Sequence, residues 1–365
     1  MTHSGPVRFG RGAGTASAVL GVLCVLAELC FLFPHHLVYN EARPFYVAHL
    51  DAFRTLLLIC IVATFVLGFI DVMIMKGSAR HGVVGLLAGV VAILLGGPDA
   101  QALTSSPQSV SAGLDYFILS LFVLALLFVP MERLWPLRVQ SVFRRDWQTD
   151  LAHFFANHVG VQILAFLSIV PVQLLFAWVV DTPMQRAIGG QPFWLQLIEV
   201  FLVVELASYW THRAFHRVPL LWRFHSIHHS IEQMDWLAGS RLHLVDVVVT
   251  RLAGFLPLFV LGFGAPAVYT YLTFVSFHAV YIHANVRHRW PVLRHVLTTP
   301  EFHHWHHAAE PDAVDKNFAV LLSCIDSLFG TAYRPDRWPS AYGVLGRTPP
   351  RHYLGQLAFP FRRGD

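Results

Sequence analysis

Three short histidine patterns, HRAFH (212–216), HSIHH (225–229) and HHWHH (303–307), decide how the chain folds. Fourteen of its 22 histidines lie between His212 and His307. Positions i, i+3 and i+4 share one face of an α-helix, so each pattern predicts imidazoles that project to the same side. The sequence therefore predicts three helical segments that together offer eight histidines to one site.

This concentration of histidine indicates a metal site. Charged imidazoles would repel each other and are costly to bury, whereas neutral imidazole is a common ligand of Zn, Fe, Cu and Ni. The patterns contain more histidines than one tetrahedral ion uses, so we expect two metal ions. Neither HExxH nor CxxC occurs in the chain, and the usual mononuclear zinc signatures are therefore missing.

The patterns and their flanking residues resemble the fatty acid hydroxylase / sterol desaturase superfamily. The supporting stretches are SYWTHRAFHR (208–217), LWRFHSIHHS (221–230), RLH (241–243), HANVR (283–287), TPEFHHWHH (299–307) and DSLFGT (326–331). The resemblance covers roughly residues 135–335. It implies an integral-membrane di-metal enzyme that uses O2 to hydroxylate or desaturate a lipid, such as a fatty acyl chain or a sterol.

The resemblance also implies the metal ligands and the cofactors. The metals would be two Fe ions, with Zn accepted in isolated protein, and no catalytic side chain beyond the metal centre is expected. Electrons would come from an external donor such as cytochrome b5 or a ferredoxin, because no flavin, haem or Rossmann motif is visible. The implied ligands are His212, His216, His225, His228, His229, His243, His283, His303, His306 and His307, with His278 as a candidate further ligand.

Four residues depart from the family pattern without removing a ligand. Glu205 stands where an Asp is common, and Leu244 replaces the Pro that follows RxH. Ala319 and Ile325 replace a Gly and a Trp near the end of the pattern.

The composition indicates a polytopic membrane protein. Hydrophobic residues make up 55% of the 365 residues and charged residues only 13%. The net charge of +4 is modest, and the basic residues lie in short loops beside apolar runs, which favours membrane topology over nucleic-acid binding. The four cysteines show no paired spacing, and because three of them lie in apolar helices they are expected to act as small buried hydrophobes.

Apolar runs predict the membrane spans, because about 20 helical residues cross a bilayer core of roughly 30 Å. For the first run a cleaved signal peptide is the alternative. The run 245–282 contains Gly262, Gly264 and Pro266 and predicts a helical hairpin that is broken in the middle. A polar loop is predicted at 98–114. The other runs are about 15–34, 53–75, 82–97, 115–131, 154–180 and 193–211.

Basic residues orient these spans. Arg8, Arg11, Lys76, Arg80 and the arginines between 133 and 145 fall on one side if four spans precede Arg133, and that side is predicted to be cytoplasmic. All histidine patterns then meet at the cytosolic ends of the spans. The predicted fold is all-α, a polytopic membrane helical bundle with a cytosolic histidine-rich di-metal domain. The expected divisions are a membrane region at 1–134, a catalytic domain at 135–335 and a cytosolic tail at 336–365.

Two other function classes fit some of these residues. A non-catalytic membrane protein that binds or transports zinc should carry its ionisable ligands near the bilayer midplane. Here the patterns lie at the ends of the spans. A metal-dependent hydrolase needs an acid/base carboxylate within the ligand patterns, and none is evident. Within the leading interpretation, hydroxylation, desaturation and ether cleavage are all compatible with the sequence.

Several polar residues near the patterns are expected to act outside the ligand set. His304 lies about 100° from His303 around a helix and is predicted to point away from the metals. His153 and His158 are expected to be structural or to line a cavity. Four other residues could orient metal-bound imidazoles or serve only as caps and loop residues, namely Asp235, Asp312, Asp315 and Asn317.

Overall fold

The computed structural model describes residues 5–39, 42–75, 79–96 and 111–362. In these ranges the regular structure is helical, and the only β-pairing is two isolated bridges, Pro136–Val286 and Ala308–Tyr342. The predicted all-α class is therefore confirmed. The chain forms two compact units, Met1–Phe122 with His158–Gln162, and Val123–Asn157 with Ile163–Asp365.

The first unit is a small helical bundle built on close helix contacts. A Cβ placed on Gly21 would lie 2.9 Å from the carbonyl oxygen of Gly85, and one placed on Gly85 would collide with Ser17. Glycine at these positions lets the helix backbones approach, as is common in membrane helices. The helices are α1 (Gly5–Leu32), α2 (Pro34–Leu37), α3 (Arg43–Ala48), α4 (Leu50–Met75), α5 (Arg80–Leu95) and the first part of α6 (Leu114–Leu134).

The second unit contains all the histidine patterns. Its apolar core joins Val200 and Val204 of α10 to Leu258 of α12 and to Ala267 and Tyr271 of α13. After α6 its helices are α7 (Trp147–Val159), α8 (Val161–Leu175), α9 (Pro183–Gly189), α10 (Phe193–Arg217), α11 (Pro219–His229), α12 (Leu244–Leu261), α13 (Ala265–His283), α14 (Pro300–His306), α15 (Cys324–Leu328) and α16 (Tyr353–Ala358).

The predicted break within 245–282 is present and has a clear backbone cause. Gly262 ends α12 in the left-handed region, with φ of 76°, and its N–H donates to the carbonyl of Leu258. Gly264 is the N-cap of α13, and its N–H donates to Gln196 Oε1 at 2.7 Å. The chain turns back here and carries His283, the last residue of α13, to the same end of the unit as the start of α12.

Five described helices are long and apolar enough to cross a membrane, and they coincide with predicted spans. α7 and α8 form a sixth candidate if the pair, bent by 51°, is counted as one span. α5 is apolar but shorter. The protein is thus a multi-pass membrane protein. Most of the predicted 98–114 loop lies outside the described residues. The five helices are Gly10–Leu32, Leu50–Met75, Leu114–Leu134, Phe193–Arg217 and Leu244–Leu261.

The C-terminal tail packs within the second unit. Gln356 Oε1 lies 2.7 Å from His153 Nε2, while His153 Nδ1 lies 3.0 Å from the carbonyl oxygen of Leu242. Thr149 donates to the carbonyl of Arg351. His153 therefore links α7, the RLH segment and the tail, which explains why this histidine is buried.

Candidate metal centre

The structure gathers nine histidines into two groups in which the candidate ligand atoms all lie within 4.8 Å of one another. The groups are adjacent, because the rings of His229 and His307 stack with centroids 4.6 Å apart. The five-histidine group is His212, His216, His225, His229 and His306, and the four-histidine group is His228, His283, His303 and His307.

Four helices supply these side chains, and two of the helices contribute to both groups. α10 ends with His212 and His216, and α13 ends with His283. α11 carries the HSIHH pattern, while α14 and the residue after it carry HHWHH. The histidines follow the apolar parts of α10 and α13, and both groups therefore lie at the ends of these helices.

Protein acceptors hold the Nδ1 side of the imidazoles in the five-histidine group. His212 Nδ1–H donates to the carbonyl of Phe318 at 2.6 Å, and His306 Nδ1–H donates to that of Lys316 at 2.8 Å. His225 Nδ1–H donates to the carboxylate of Asp246 at 2.7 Å. These partners assign the proton to Nδ1 and leave Nε2 as a lone-pair donor directed into the group.

Two members of the four-histidine group are held in the same way by backbone carbonyls. His283 Nδ1–H donates to Ala279 at 2.6 Å, and His228 Nδ1–H donates to Arg241 at 3.3 Å. Neither group includes a carboxylate among the described residues. Both groups therefore offer an all-nitrogen donor set, which suits Fe, Zn or Cu.

The inward nitrogens fit metal ions and lack an adequate partner without them. The Nε2 atoms of His212 and His225 are 3.0 Å apart, and those of His228 and His283 are 3.3 Å apart, although each of these rings already donates through Nδ1. Two lone pairs facing each other in a buried site are unfavourable unless a cation lies between them. Three more Nε2 atoms within the groups are buried without a hydrogen-bond partner, those of His216, His229 and His306.

Burial keeps these imidazoles neutral, as metal ligands must be. Burial lowers the pKa of His306 to about 3, and burial together with neighbouring histidines lowers the pKa of His228, His229 and His307 well below the usual range. These histidines are therefore neutral, and their unprotonated nitrogens are available as ligands for a metal ion.

Five of the fourteen histidines between His212 and His307 lie outside both groups, among them His243, His278 and His304. His243 caps α12, since its Nδ1 accepts from Val245 N–H, and its Nε2 lies 3.3 Å from the carbonyl oxygen of Leu357. His278 lies on α13 and stacks against Phe274. His304 is fully buried but is directed elsewhere, with Nδ1 2.8 Å from the hydroxyl of Tyr342 in the tail.

A buried ion-pair network supports the loop beside the four-histidine group. Asp150 pairs with Arg144 at 2.6 Å and also with Arg241, and Arg144 pairs with Asp235 at 2.7 Å. Arg241 additionally donates to the carbonyl of Ser230, which caps α11. Because the backbone carbonyl of Arg241 also accepts from His228, the network fixes one ligand candidate and the end of its helix.

Two supporting carboxylates were not predicted to act near the histidines. Asp246, in the first turn of α12, holds His225, and its place three residues after RLH is the signal that could have indicated it. Asp326 of DSLFGT accepts from the N–H groups of Phe318 and Ala319, and so fixes the carbonyl that holds His212. Glu205, noted as a departure from the family pattern, accepts from the backbone of Leu321 at 2.8 Å.

Of the residues expected either to orient imidazoles or to serve as caps and loop residues, one contacts a histidine of the groups and two stabilise the surrounding structure. Asp315 Oδ1 lies 3.5 Å from His216 Nδ1 and so contacts a ligand candidate directly. Asn317 instead donates to the carbonyls of Phe302 and Tyr333 and fixes the backbone. Asp235 acts through Arg144.

Comparison with known proteins gives a consistent picture. A fatty acid hydroxylase family model matches residues 197–331. Ornithine lipid hydroxylase OlsE of Rhizobium tropici is 30% identical over 244 residues, which cover 64% of this chain and 70% of that relative. Alkylglycerol monooxygenase of Homo sapiens is 33% identical over 150 residues, which cover 40% of this chain and 32% of that protein.

A third relative is less similar to the chain. Methylsterol monooxygenase 1-3 of Arabidopsis thaliana is 24% identical over 138 residues, which cover 37% of this chain and 47% of the relative. No solved structure matches the chain. The family match, the ornithine lipid hydroxylase relative and the two histidine groups agree, and the chain belongs to the fatty acid hydroxylase / sterol desaturase superfamily of membrane oxidoreductases that modify lipids.

Proposed function

We propose that the chain is a di-iron monooxygenase that hydroxylates a membrane lipid. The observation that carries this proposal is the pair of adjacent, buried, all-histidine groups at the ends of apolar helices. Ligands at helix ends argue against a zinc transporter, whose ionisable ligands belong near the bilayer midplane. Neither described group includes a carboxylate, and Asp246, which holds His225, contacts its Nδ1 on the side away from the group, so the acid/base residue that a hydrolase would need is not evident.

Nine histidines would hold the two metal ions, five in one group and four in the other. His243 is not among the ligands we propose, because its Nδ1 accepts from the first turn of α12. His278 is not among them either, because it lies in neither group. The donor set contains no thiolate or carboxylate, so geometry and metal supply, not affinity alone, would select Fe over Zn.

When bound, iron would supply the activation of O2 that removes hydrogen from an unactivated carbon. The balanced reaction is R–H, O2, two electrons and two protons giving R–OH and water. The protein's side chains orient the ligand nitrogens through their Nδ1 partners, and Asp246 increases the basicity of His225. Burial of the groups excludes bulk water from the site. The electrons require an external one-electron carrier of the cytochrome b5 or ferredoxin kind.

We propose an acylated membrane lipid such as ornithine lipid as the substrate class. Its support is the ornithine lipid hydroxylase relative, which aligns with 64% of this chain. All three relatives described above carry the name hydroxylase or monooxygenase, which favours hydroxylation over desaturation. In this proposal, residues 135–335 form the catalytic domain, with the tail packed on it, and residues 1–134 form the membrane region.

Lipid mass spectrometry tests the reaction type. Host cells that make ornithine lipid would express the chain or a variant with His225 and His303 both changed to alanine. We expect one lipid to gain one oxygen atom only with the unchanged chain, and in membranes only when a reductant is supplied. A loss of two hydrogens would replace hydroxylation by desaturation, and unchanged lipids at normal metal content would contradict the proposal.

We further propose that the histidine groups face the cytoplasm. The support is the clustering of arginines after α6, although Arg144 is buried in an ion-pair network and so contributes to folding as well as to orientation. A reporter fused after Asp365 should be active only in its cytosolic form, since the tail packs within the unit that holds the histidines. Activity of an exported reporter would reverse the orientation.

A further inference from the structure

The second unit carries a long groove between α6 and α13 that the proposed chemistry does not use. Its volume is about 780 Å³, within the usual range of small-molecule sites. Leu127, Phe128 and Met131 of α6 form one wall, and one face of α13 from Tyr269 to Tyr281 forms the other. The lining is mostly apolar and aromatic, so the groove suits an alkyl chain.

Both helices of the groove lie at membrane depth. α6 is one of the five described helices that are long and apolar enough to cross a membrane. α13 turns back from α12, another of the five, and packs against α10 through Ala267 and Tyr271. Phe274 and Phe277 line the groove and are exposed. The groove is therefore open at its side toward the bilayer, and a chain can enter it laterally.

The length of the groove matches the depth of one membrane leaflet. Tyr269 and Tyr281 are 12 positions apart, which corresponds to about 18 Å along α13. Half of a hydrocarbon core of roughly 30 Å is about 15 Å. One acyl chain of a lipid in that leaflet can thus lie along the whole groove.

The groove and the histidine groups lie on different sides of α13. Tyr281 and His283 are two positions apart, which places their side chains about 200° apart around the helix. His283 Nε2 instead faces the Nε2 atoms of His228 and His303, at 3.3 and 3.0 Å. A lipid in the groove would therefore contact the helix that carries His283 without entering the metal site.

The groove ends where α6 and α13 end. The chain segments that follow these two helices pair in an isolated β-bridge. The carbonyl of Trp135 accepts from the backbone N–H of Arg287 at 3.0 Å. Trp290 Nε1–H donates to the hydroxyl of Tyr281, also at 3.0 Å. These contacts hold the segment after α13 at one end of the groove.

This segment, residues 287–296, combines positive charge with exposed apolar side chains. Its sequence, RHRWPVLRHV, contains three arginines and no acidic residue. Trp290, Val292 and Val296 are all exposed. Basic segments with exposed apolar side chains are typical of contacts with an anionic membrane surface.

Arg287 is the arginine of this segment whose charge is available to a head group. Arg289 and Arg294 both pair with the buried carboxylate of Glu301. Arg287 is exposed and forms no ion pair with any residue that the structure describes. Its backbone contact with Trp135 places it directly after the α6 wall of the groove.

We propose that the groove binds one acyl chain of an anionic phospholipid, with the phosphate of the head group at Arg287. A guanidinium forms charge-assisted hydrogen bonds to phosphate, and its charge favours an anionic head over a zwitterionic one. The second acyl chain stays in the bilayer, because the groove is open at its side. The bound lipid joins α6 to α13 and so stabilises the helix that carries His283. This lipid site is independent of the reaction proposed for the metal centre.

Native mass spectrometry of the full chain tests the head group. Detergent-purified protein is incubated with phosphatidylglycerol or with phosphatidylcholine that has the same two acyl chains. We expect phosphatidylglycerol to be retained with an affinity about fivefold higher, the usual effect of one basic residue on an anionic lipid. Equal retention of the two lipids would overturn the anionic selectivity, and retention of neither would overturn the site.

Three variants locate the lipid. Thr273→Trp fills the groove and should abolish phosphatidylglycerol retention, whereas Ser276→Trp, at an exposed position of α13 outside the groove, should not. Arg287→Gln should remove the fivefold preference and leave phosphatidylcholine retention unchanged, whereas Arg186→Gln, at an exposed position of α9, should keep the preference. Equal losses in the two tryptophan variants, or an unchanged preference in Arg287→Gln, would contradict the proposal.

Photo-crosslinking of the unchanged chain gives a result even if Thr273→Trp does not fold. Phosphatidylglycerol with a diazirine in one acyl chain should label peptides that contain residues 127–131 and 269–281. Labelling that spares both peptides would show that the chain lies elsewhere.

Discussion

Changing His228 to alanine is expected to lower the metal content from about two ions per chain to about one and to reduce turnover at least about 100-fold. His228 belongs to the group of four, so its loss removes a quarter of that donor set, whereas the five-histidine group keeps all its members. Elemental analysis of purified protein, followed by turnover measured at equal protein concentration, gives both quantities.

His304→Ala is the matched control, because it removes the same side chain from a buried position nearby. Its two ring nitrogens contact the hydroxyl of Tyr342 and the carbonyl of Ala284, not the metal groups. We expect normal metal content together with a loss of stability of about 1–3 kcal/mol, the usual effect of removing one partner from buried hydrogen bonds. Equal metal loss in the two variants at equal expression would mean that the ligand assignment is wrong.

The spacing of histidines predicted which helices meet, but not how their side chains are shared. HSIHH was expected to place its histidines on one helix face, with His228 sharing that face only in part, and the structure places His225 and His229 in one group and His228 in the other. HHWHH is divided likewise, with His306 in one group and His303 in the other. Positions i, i+3 and i+4 span an arc of a helix surface, and the angle at which neighbouring helices cross that arc decides the division.

Contacts between distant parts of the chain could not be predicted from sequence patterns either. The tail has no periodicity, yet Gln356 reaches His153 and Tyr342 reaches His304. Such pairs join residues 203 and 38 positions apart and depend on the folded path of the chain. Predictions from local sequence signals were more accurate. The break at Gly262 could be predicted because it follows from the backbone preference of a single residue.

Asp150→Ala is expected to destabilise the protein by about 3–5 kcal/mol, because it leaves the buried guanidinium groups of Arg144 and Arg241 without their shared carboxylate. The side chain of Asp150 is fully buried. The Glu310–Arg337 pair has the same separation, 2.6 Å, but the Arg337 side chain is 55% exposed. Glu310→Ala should therefore destabilise the protein less than Asp150→Ala does.

Unfolding by increasing SDS in mixed micelles compares these two variants with the unchanged chain. A double variant separates the ion pair from any defect in α7, because Arg241→Met added to Asp150→Ala removes the guanidinium that has lost its carboxylate, while Arg144 keeps Asp235. We expect the double variant to be more stable than Asp150→Ala alone. Asp150→Ala and the double variant both keep the Arg241 backbone carbonyl, which accepts from His228. The double variant should therefore retain more metal than Asp150→Ala alone, as its stability recovers. Equal losses for Asp150→Ala and Glu310→Ala would show that burial does not determine the strength of this network.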